Sequence, residues 1–144
     1  MRKLFYAGLV LLSASLIANN LAATTNTAEP NLKSIPITDT HIATMGRIEK
    51  ASDGSARFGY PGVSFFVTFE GKELNLEAFS GSNQSYLEVT VDKQTPKVIK
   101  LTSSSAVLNL VKNNNTKKHQ VTIVHRSETW HGLVTRKSVS TDGK

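Results

Sequence analysis

The 144 residues contain no cysteine. Disulfides, cysteine-ligated zinc, iron–sulfur clusters and thiol nucleophiles are therefore excluded. Export is not, because disulfides are common in exported proteins but not required. Dense charge is also missing. The formal net charge is +6, and no Lys/Arg tract exceeds the pairs Lys117-Lys118 and Arg136-Lys137, which are too short to indicate nucleic-acid binding. No helical stripe of useful length follows the first two dozen residues, and no internal repeat is present. Against these absences stands an ordinary globular composition, 39% hydrophobic and 19% charged, in a length that suits one domain.

The chain opens Met1-Arg2-Lys3, runs apolar from Leu4 to Ala18, and continues with the small-residue stretch Asn20-Leu21-Ala22-Ala23. A basic start, a short apolar run and a small-residue exit make a secretory signal peptide over 1–23. The run is short of the ~20 apolar residues of a membrane anchor. Cleavage is expected after Ala22 or Ala23, with the product secreted or periplasmic and no membrane association after leader removal. Losing Arg2 and Lys3 takes the 17 basic residues to 15 against 11 acidic ones, or +4. Residues 24–40 are rich in Thr, Asn, Pro and Ser and hold Pro30 and Pro36, which reads as an extended linker.

From about residue 41 the hydrophobic pattern has period two. Val63, Phe65, Val67 and Phe69 alternate with Ser64, Phe66 and Thr68. Leu74, Leu76 and Ala78 follow suit, then Leu87, Val89 and Val91, then Leu108 and Leu110, and finally Val121 and Ile123. Alternate side chains of a strand point to opposite faces, so these are half-buried strands. Asp53-Gly54, Pro61-Gly62, Glu70-Gly71-Lys72 and Asn113-Asn114-Asn115 read as turns and loops between them. About nine short strands over 41–140 predict an all-β antiparallel sandwich of jelly-roll type, with a C-terminal stub at 141–144.

The chemistry-bearing residues are sparse. Four histidines occur, at 41, 119, 125 and 131. His119 and His125 share a strand face but lie about 20 Å apart along it at roughly 3.3 Å per residue, too far for one metal ion. They read as surface or strand-end side chains, and no metal or cofactor site is expected. The serines lack a nucleophile elbow, and Ser103-Ser104-Ser105 reads as a loop, so no catalytic residue is assigned. Arg126 and Glu128 share a strand face and suit an ion pair at a strand end or domain contact. Tyr60 and Trp130 suit glycan stacking, plugging of the sandwich ends, or packing against a partner domain.

Several segments, taken in order, resemble the N-terminal domain of family 2 carbohydrate esterases. Met45-Gly46-Arg47-Ile48 and Phe58-Gly59-Tyr60-Pro61-Gly62-Val63 resemble its Gly-Arg opening and Trp-Pro-Gly turn. Phe69-Glu70-Gly71-Lys72-Glu73-Leu74 resembles its Phe-x-Gly-x-x-Leu hairpin. Asn83 precedes Leu87-Glu88-Val89-Thr90-Val91-Asp92, which is similar to its strand ending Val-Asp-Gly. His119–Glu128 resembles its His-x-Val-x-Leu-x-Lys-Arg-Thr-Glu strand. The resemblance runs from about 45 to 139. Tyr60, Lys93 and His125 depart from the family's Trp, Gly and Lys.

In that family a catalytic domain of the Gly-Asp-Ser type follows and removes acetyl groups from xylan or other sugars. No Gly-Asp-Ser segment occurs in these 144 residues, so no catalytic residue carries over. The resemblance implies a non-catalytic accessory domain, truncated before a catalytic esterase domain that would be its partner. The alternative is a stand-alone module binding a plant or cell-wall polysaccharide. The accessory reading predicts an exposed apolar patch; the alternative predicts an aromatic, polar-lined groove and no large bare patch. Tyr60, Trp130, Arg126 and Glu128 are the candidate glycan or domain-interface residues.

Overall fold

The computed structural model describes residues 31–144. The leader and the first part of the linker lie outside the described residues. The strands are β1 (Lys33–Pro36), β2 (Ala43–Met45), β3 (Glu49–Lys50), β4 (Ala56–Phe58), β5 (Ser64–Ser80), β6 (Tyr86–Val91), β7 (Lys97–Lys100), β8 (Ala106–His125) and β9 (Val134–Thr141), with a 3-10 turn at Thr129–His131. All pairings are antiparallel. The expected all-β jelly-roll sandwich is what forms.

β5 and β8 pair along nearly their whole lengths, and each runs through both layers. One layer is ordered β2, the first half of β5, the second half of β8, β6, β7. The other is ordered β3, β4, β9, the second half of β5, the first half of β8. β1 lies along β9 beside Ser138–Thr141.

Two of the expected turns do not separate strands. Glu70-Gly71-Lys72 is not a hairpin link, because β5 continues through it. Asn113-Asn114-Asn115 does not separate two strands; it bulges from β8, where the register jumps from Gly71↔Lys117 to Glu73↔Lys112. The C-terminal residues hold the bend. The Lys72 and Glu73 backbone N–H groups both donate to Asp142 Oδ1, each at 2.9 Å. A Cβ at Gly71 would stand 2.7 Å from that oxygen, so only glycine admits the carboxylate. Glu70 and Lys144 exchange backbone hydrogen bonds at 2.9 and 3.1 Å. Residues 33–40, read as linker, also enter the fold: Lys33–Pro36 pairs with β9, and Ile37 is fully buried.

Of the alternating residues, Phe65, Val67, Phe69, Leu74, Leu76, Leu87, Val89, Val121 and Ile123 are buried as expected. Val91, Leu108 and Leu110 are only partly buried. Leu108 stands opposite buried Leu76 but on an edge strand, and a bulge explains Leu110. The register shifts between Leu74↔Val111 and Asn75↔Asn109, which leaves Leu110 unpaired and turns Val111 inward. A second bulge shifts β9 between Glu77↔Ser138 and Ala78↔Arg136. The extra residue, Lys137, faces solvent and pairs with Glu77 at 2.9 Å. Val134 and Arg136 then face inward before the bulge, and Val139 and Thr141 after it.

Arg136 is thus a cation in the core, 0% exposed. Its guanidinium lies 4.3 Å from the Phe65 ring centroid and 5.1 Å from that of Phe58. Those rings, one from each layer, are themselves 5.4 Å apart. No hydrogen-bond acceptor meets its three guanidinium nitrogens among the described residues. Burial lowers its pKa to about 9, so it stays charged at neutral pH, and the ring faces are its electrostatic compensation.

Phe65→Ala is expected to lose about 3–5 kcal/mol in denaturant unfolding. Arg136→Ala is expected to lose about 2–4 kcal/mol through the cavity it leaves. Arg136→Met fills that space without burying a charge and is expected to hold or raise the midpoint. A methionine variant as damaged as the alanine variant would show that the charge, not the packing, joins the layers.

Candidate functional site

The end of the β5–β8 ribbon builds one end of the sandwich. Gly62, at φ +82°, closes the turn before β5, and its N–H donates to the His125 carbonyl at 2.8 Å. His125 N–H in turn donates to the Val63 carbonyl at 2.9 Å. The His125 side chain lies beneath this turn. Its Nδ1–H donates to the Tyr60 carbonyl at 2.9 Å, and its ring packs edge-on against Phe58. His125 is fully buried and His119 nearly so, so neither is a surface histidine, although His125 does end its strand.

Tyr60 is held from beneath and exposes 52% of its surface, with the Arg47 guanidinium 5.6 Å from its ring centroid. The 3-10 turn lies beside it. Thr129 Oγ1 donates to the Gly59 carbonyl at 3.2 Å. Behind the turn, the His131 carbonyl accepts from Ser82 Oγ and from Ser85 Oγ. The Tyr86 N–H donates to Ser127 Oγ at 2.7 Å. Trp130 projects from this bonded frame 78% exposed, and Leu133 is 52% exposed.

A cleft of about 140 Å³ lies between Tyr60 and Leu133, with Phe58 lining it and Arg47 and Arg57 at its sides. That is room for one large side chain. Apolar surface next to a small pocket, on a rigid frame with a charged rim of Arg47, Arg57 and Glu49, is the makeup of a docking face.

Tyr60 and Trp130, singled out in the sequence, are therefore brought to one end. Arg126 and Glu128 are not brought together. β8 ends at His125, so they do not share a strand face. Arg126 instead pairs with Glu88 on β6, and Glu128 stands exposed just before the 3-10 turn. Leu133 was missed, because Gly132-Leu133-Val134 reads as strand interior; only the 3-10 turn leaves it outside β9.

No group of three or more His, Asp or Glu able to hold a metal ion occurs among the described residues. Two His–Asp pairs do, His41–Asp39 and His119–Asp92. The second nitrogen of His119 accepts from Asn113 Nδ2 at 2.9 Å, so that pair does not activate a hydroxyl.

Burial lowers the His125 pKa below its ordinary 6.5, the Tyr60 carbonyl opposes this, and the charge of Arg136 adds to it. The unfolded imidazole therefore takes up a proton before the folded one does. Stability is expected to fall as pH drops through about 6.5 and to stop falling, for this group, below the folded pKa. His125→Gln should flatten the loss of thermal midpoint between about pH 7 and 5. An unchanged acid slope in that variant would contradict the assignment.

The family model described as carbohydrate esterase 2 N-terminal matches residues 44–144. A relative from Cellvibrio japonicus (strain Ueda107), an acetylxylan esterase / glucomannan deacetylase, is 36% identical over 140 residues, 97% of this chain and 37% of its own length. The structure of a family two carbohydrate esterase from the same organism superposes with a TM-score of 0.77 at 38% identity, over 78% of this chain and 34% of that one. The CBM36-1 domain of a multidomain xylanase from the hindgut metagenome of Trinervitermes trinervoides shares the fold, with a TM-score of 0.57 at 13% identity, over 76% of this chain and 95% of that one. With its motifs in family order on this sandwich, the chain belongs to the carbohydrate esterase 2 N-terminal family.

Proposed function

We propose that this is the non-catalytic accessory domain of an exported carbohydrate esterase of the acetylxylan class, and that its Tyr60–Trp130–Leu133 end packs against the catalytic domain. The carrying observation is that end itself. Three large side chains stand in solvent on hydrogen-bonded turns, two of them, Tyr60 and Leu133, flanking a cleft sized for one side chain, with Trp130 on the adjoining turn. A rigid face loses little conformational entropy on docking. The relatives support the reading, since the chain spans only 37% of the length of the acetylxylan esterase it matches. The basic start and apolar run of residues 1–18 support export. The stand-alone glycan-module reading is less well supported, because the cleft beside Tyr60 holds only about 140 Å³, room for one side chain and not for a sugar chain.

The 144-residue chain is expected to leave 4-nitrophenyl acetate unhydrolysed above an inert-protein blank. Fused ahead of the catalytic portion of the Cellvibrio japonicus relative, in place of that enzyme's own N-terminal domain, it is expected to support deacetylation. In the fusion, Trp130→Ala with Leu133→Ser should lower the unfolding midpoint of the catalytic portion, by about 2 kcal/mol of lost docking. The same pair should leave the separate domain's midpoint unchanged. A doubly substituted fusion indistinguishable from the parent would overturn the proposal.

A further inference from the structure

The other end of the sandwich carries a second feature, of different chemistry. β7 is the edge of one layer and the first half of β8 the edge of the other. Between these edges the layers part into a cleft of about 210 Å³. Its apolar lining includes Val89 and Val111, both buried core residues. Its walls are polar. Asn109, Lys112 and Asn113 come from β8, and Gln94 and Lys97 from the turn after β6 and the start of β7.

The one carboxylate in the lining is already engaged. Asp92 accepts from His119 Nδ1 at 2.6 Å and from the Gln120 N–H at 2.9 Å. His119, almost wholly buried, is fixed on its other side by Asn113. Neither Lys97 nor Lys112 forms an ion pair among the described residues. The cleft therefore offers two uncommitted ammonium groups, side-chain amides and an apolar floor. A neighbouring hollow adds Lys93 and Lys118 beside the same Asp92. Asp92 and Lys93 sit at φ +50° and +62° in a tight turn closed by Gln94 N–H to the Val91 carbonyl at 2.8 Å. Lys93 thus holds a left-handed conformation that glycine would adopt without strain.

We propose that this cleft binds one carboxylate-bearing sugar ring of an acidic saccharide, a uronic-acid unit. Lys97 and Lys112 meet the carboxylate, the amides of Asn109 and Gln94 meet ring hydroxyls, and a pyranose face lies on the apolar floor. Charge complementarity selects the acidic ring. The lack of an aromatic platform in the lining sets this cleft apart from one that recognises neutral sugar chains by stacking. The proposal goes beyond the accessory role and does not depend on it, since the cleft and the Trp130 turn lie at opposite ends of β6.

The test is a titration of the 15N-labelled 144-residue chain, leader removed, followed by two-dimensional NMR. The probes are a xylo-oligosaccharide bearing one glucuronic-acid branch, the same oligosaccharide without the branch, and inorganic phosphate. The branched probe is expected to shift the amides of residues 92–97 and 109–113, and added salt should weaken it. The unbranched probe and phosphate should leave those amides in place. Lys97→Gln with Lys112→Gln should weaken the branched probe by about tenfold or more, with the thermal midpoint unchanged. Trp130→Ala should leave binding as it was. Equal shifts from the unbranched sugar or from phosphate, shifts centred elsewhere, or a lysine double variant that binds normally would each overturn the proposal.

Discussion

Both layers share the β5–β8 ribbon, and the rest of the structure is arranged around it. Its pairing runs from Ser64↔Val124 to Ala78↔Ala106. The layers cannot part without breaking it at the bend, where Asp142 bonds two successive N–H groups of β5. Inside the fold, the inward face of the ribbon supplies Phe65, Val67, Phe69, Leu74, Leu76, Val121 and Ile123. Arg136 fills the seam left between Phe65 and Phe58. A long cationic side chain in that position is tolerated because both neighbours present ring faces to it.

The ribbon also places the two surface features. Where it begins and ends, His125 bonds the Tyr60 carbonyl, and the chain leaves β8 directly for the 3-10 turn that carries Trp130. Around its bend, the Asn113 bulge and the Asp92 turn frame the basic cleft. β6 spans the distance from one to the other. Its first residue, Tyr86, bonds Ser127 beside the 3-10 turn, and its last, Val91, precedes Asp92. Six residues of strand separate the sites by about 20 Å. A domain docked on the Trp130 end would therefore leave the cleft open.

Period-two alternation made the all-β class and most of the buried set legible, because most inward residues between Val63 and Ile123 are large apolar ones, with His119 among the exceptions. The bulges were not legible. A one-residue slip reverses every later side chain, so Leu110 reads as core although Val111 takes the inward place. Arg136 reads as a solvent residue and is instead the largest fully buried side chain. The bend was misread because Gly71 between charged neighbours looks like a hairpin, and only the distant Asp142 shows why glycine is needed there. Tyr60 and Trp130 stood out as large aromatics, but the bond that holds their turns together, from Thr129 Oγ1 to the Gly59 carbonyl, spans 70 residues of sequence. The basic cleft left no sequence signal, since its lysines come from separate strands and only the fold gathers them.

The role proposed for Trp130 is to anchor an interdomain face. It is the chain's sole tryptophan, so 5-fluorotryptophan incorporated into this domain alone gives one 19F resonance that reports on that position. The domain would be ligated to the unlabelled catalytic portion of the Cellvibrio japonicus relative and compared with the free domain in H2O and D2O. Docking on Trp130 predicts a single shifted resonance that loses its solvent-isotope sensitivity in the ligated protein. A resonance with the chemical shift and solvent response of the free domain would contradict it.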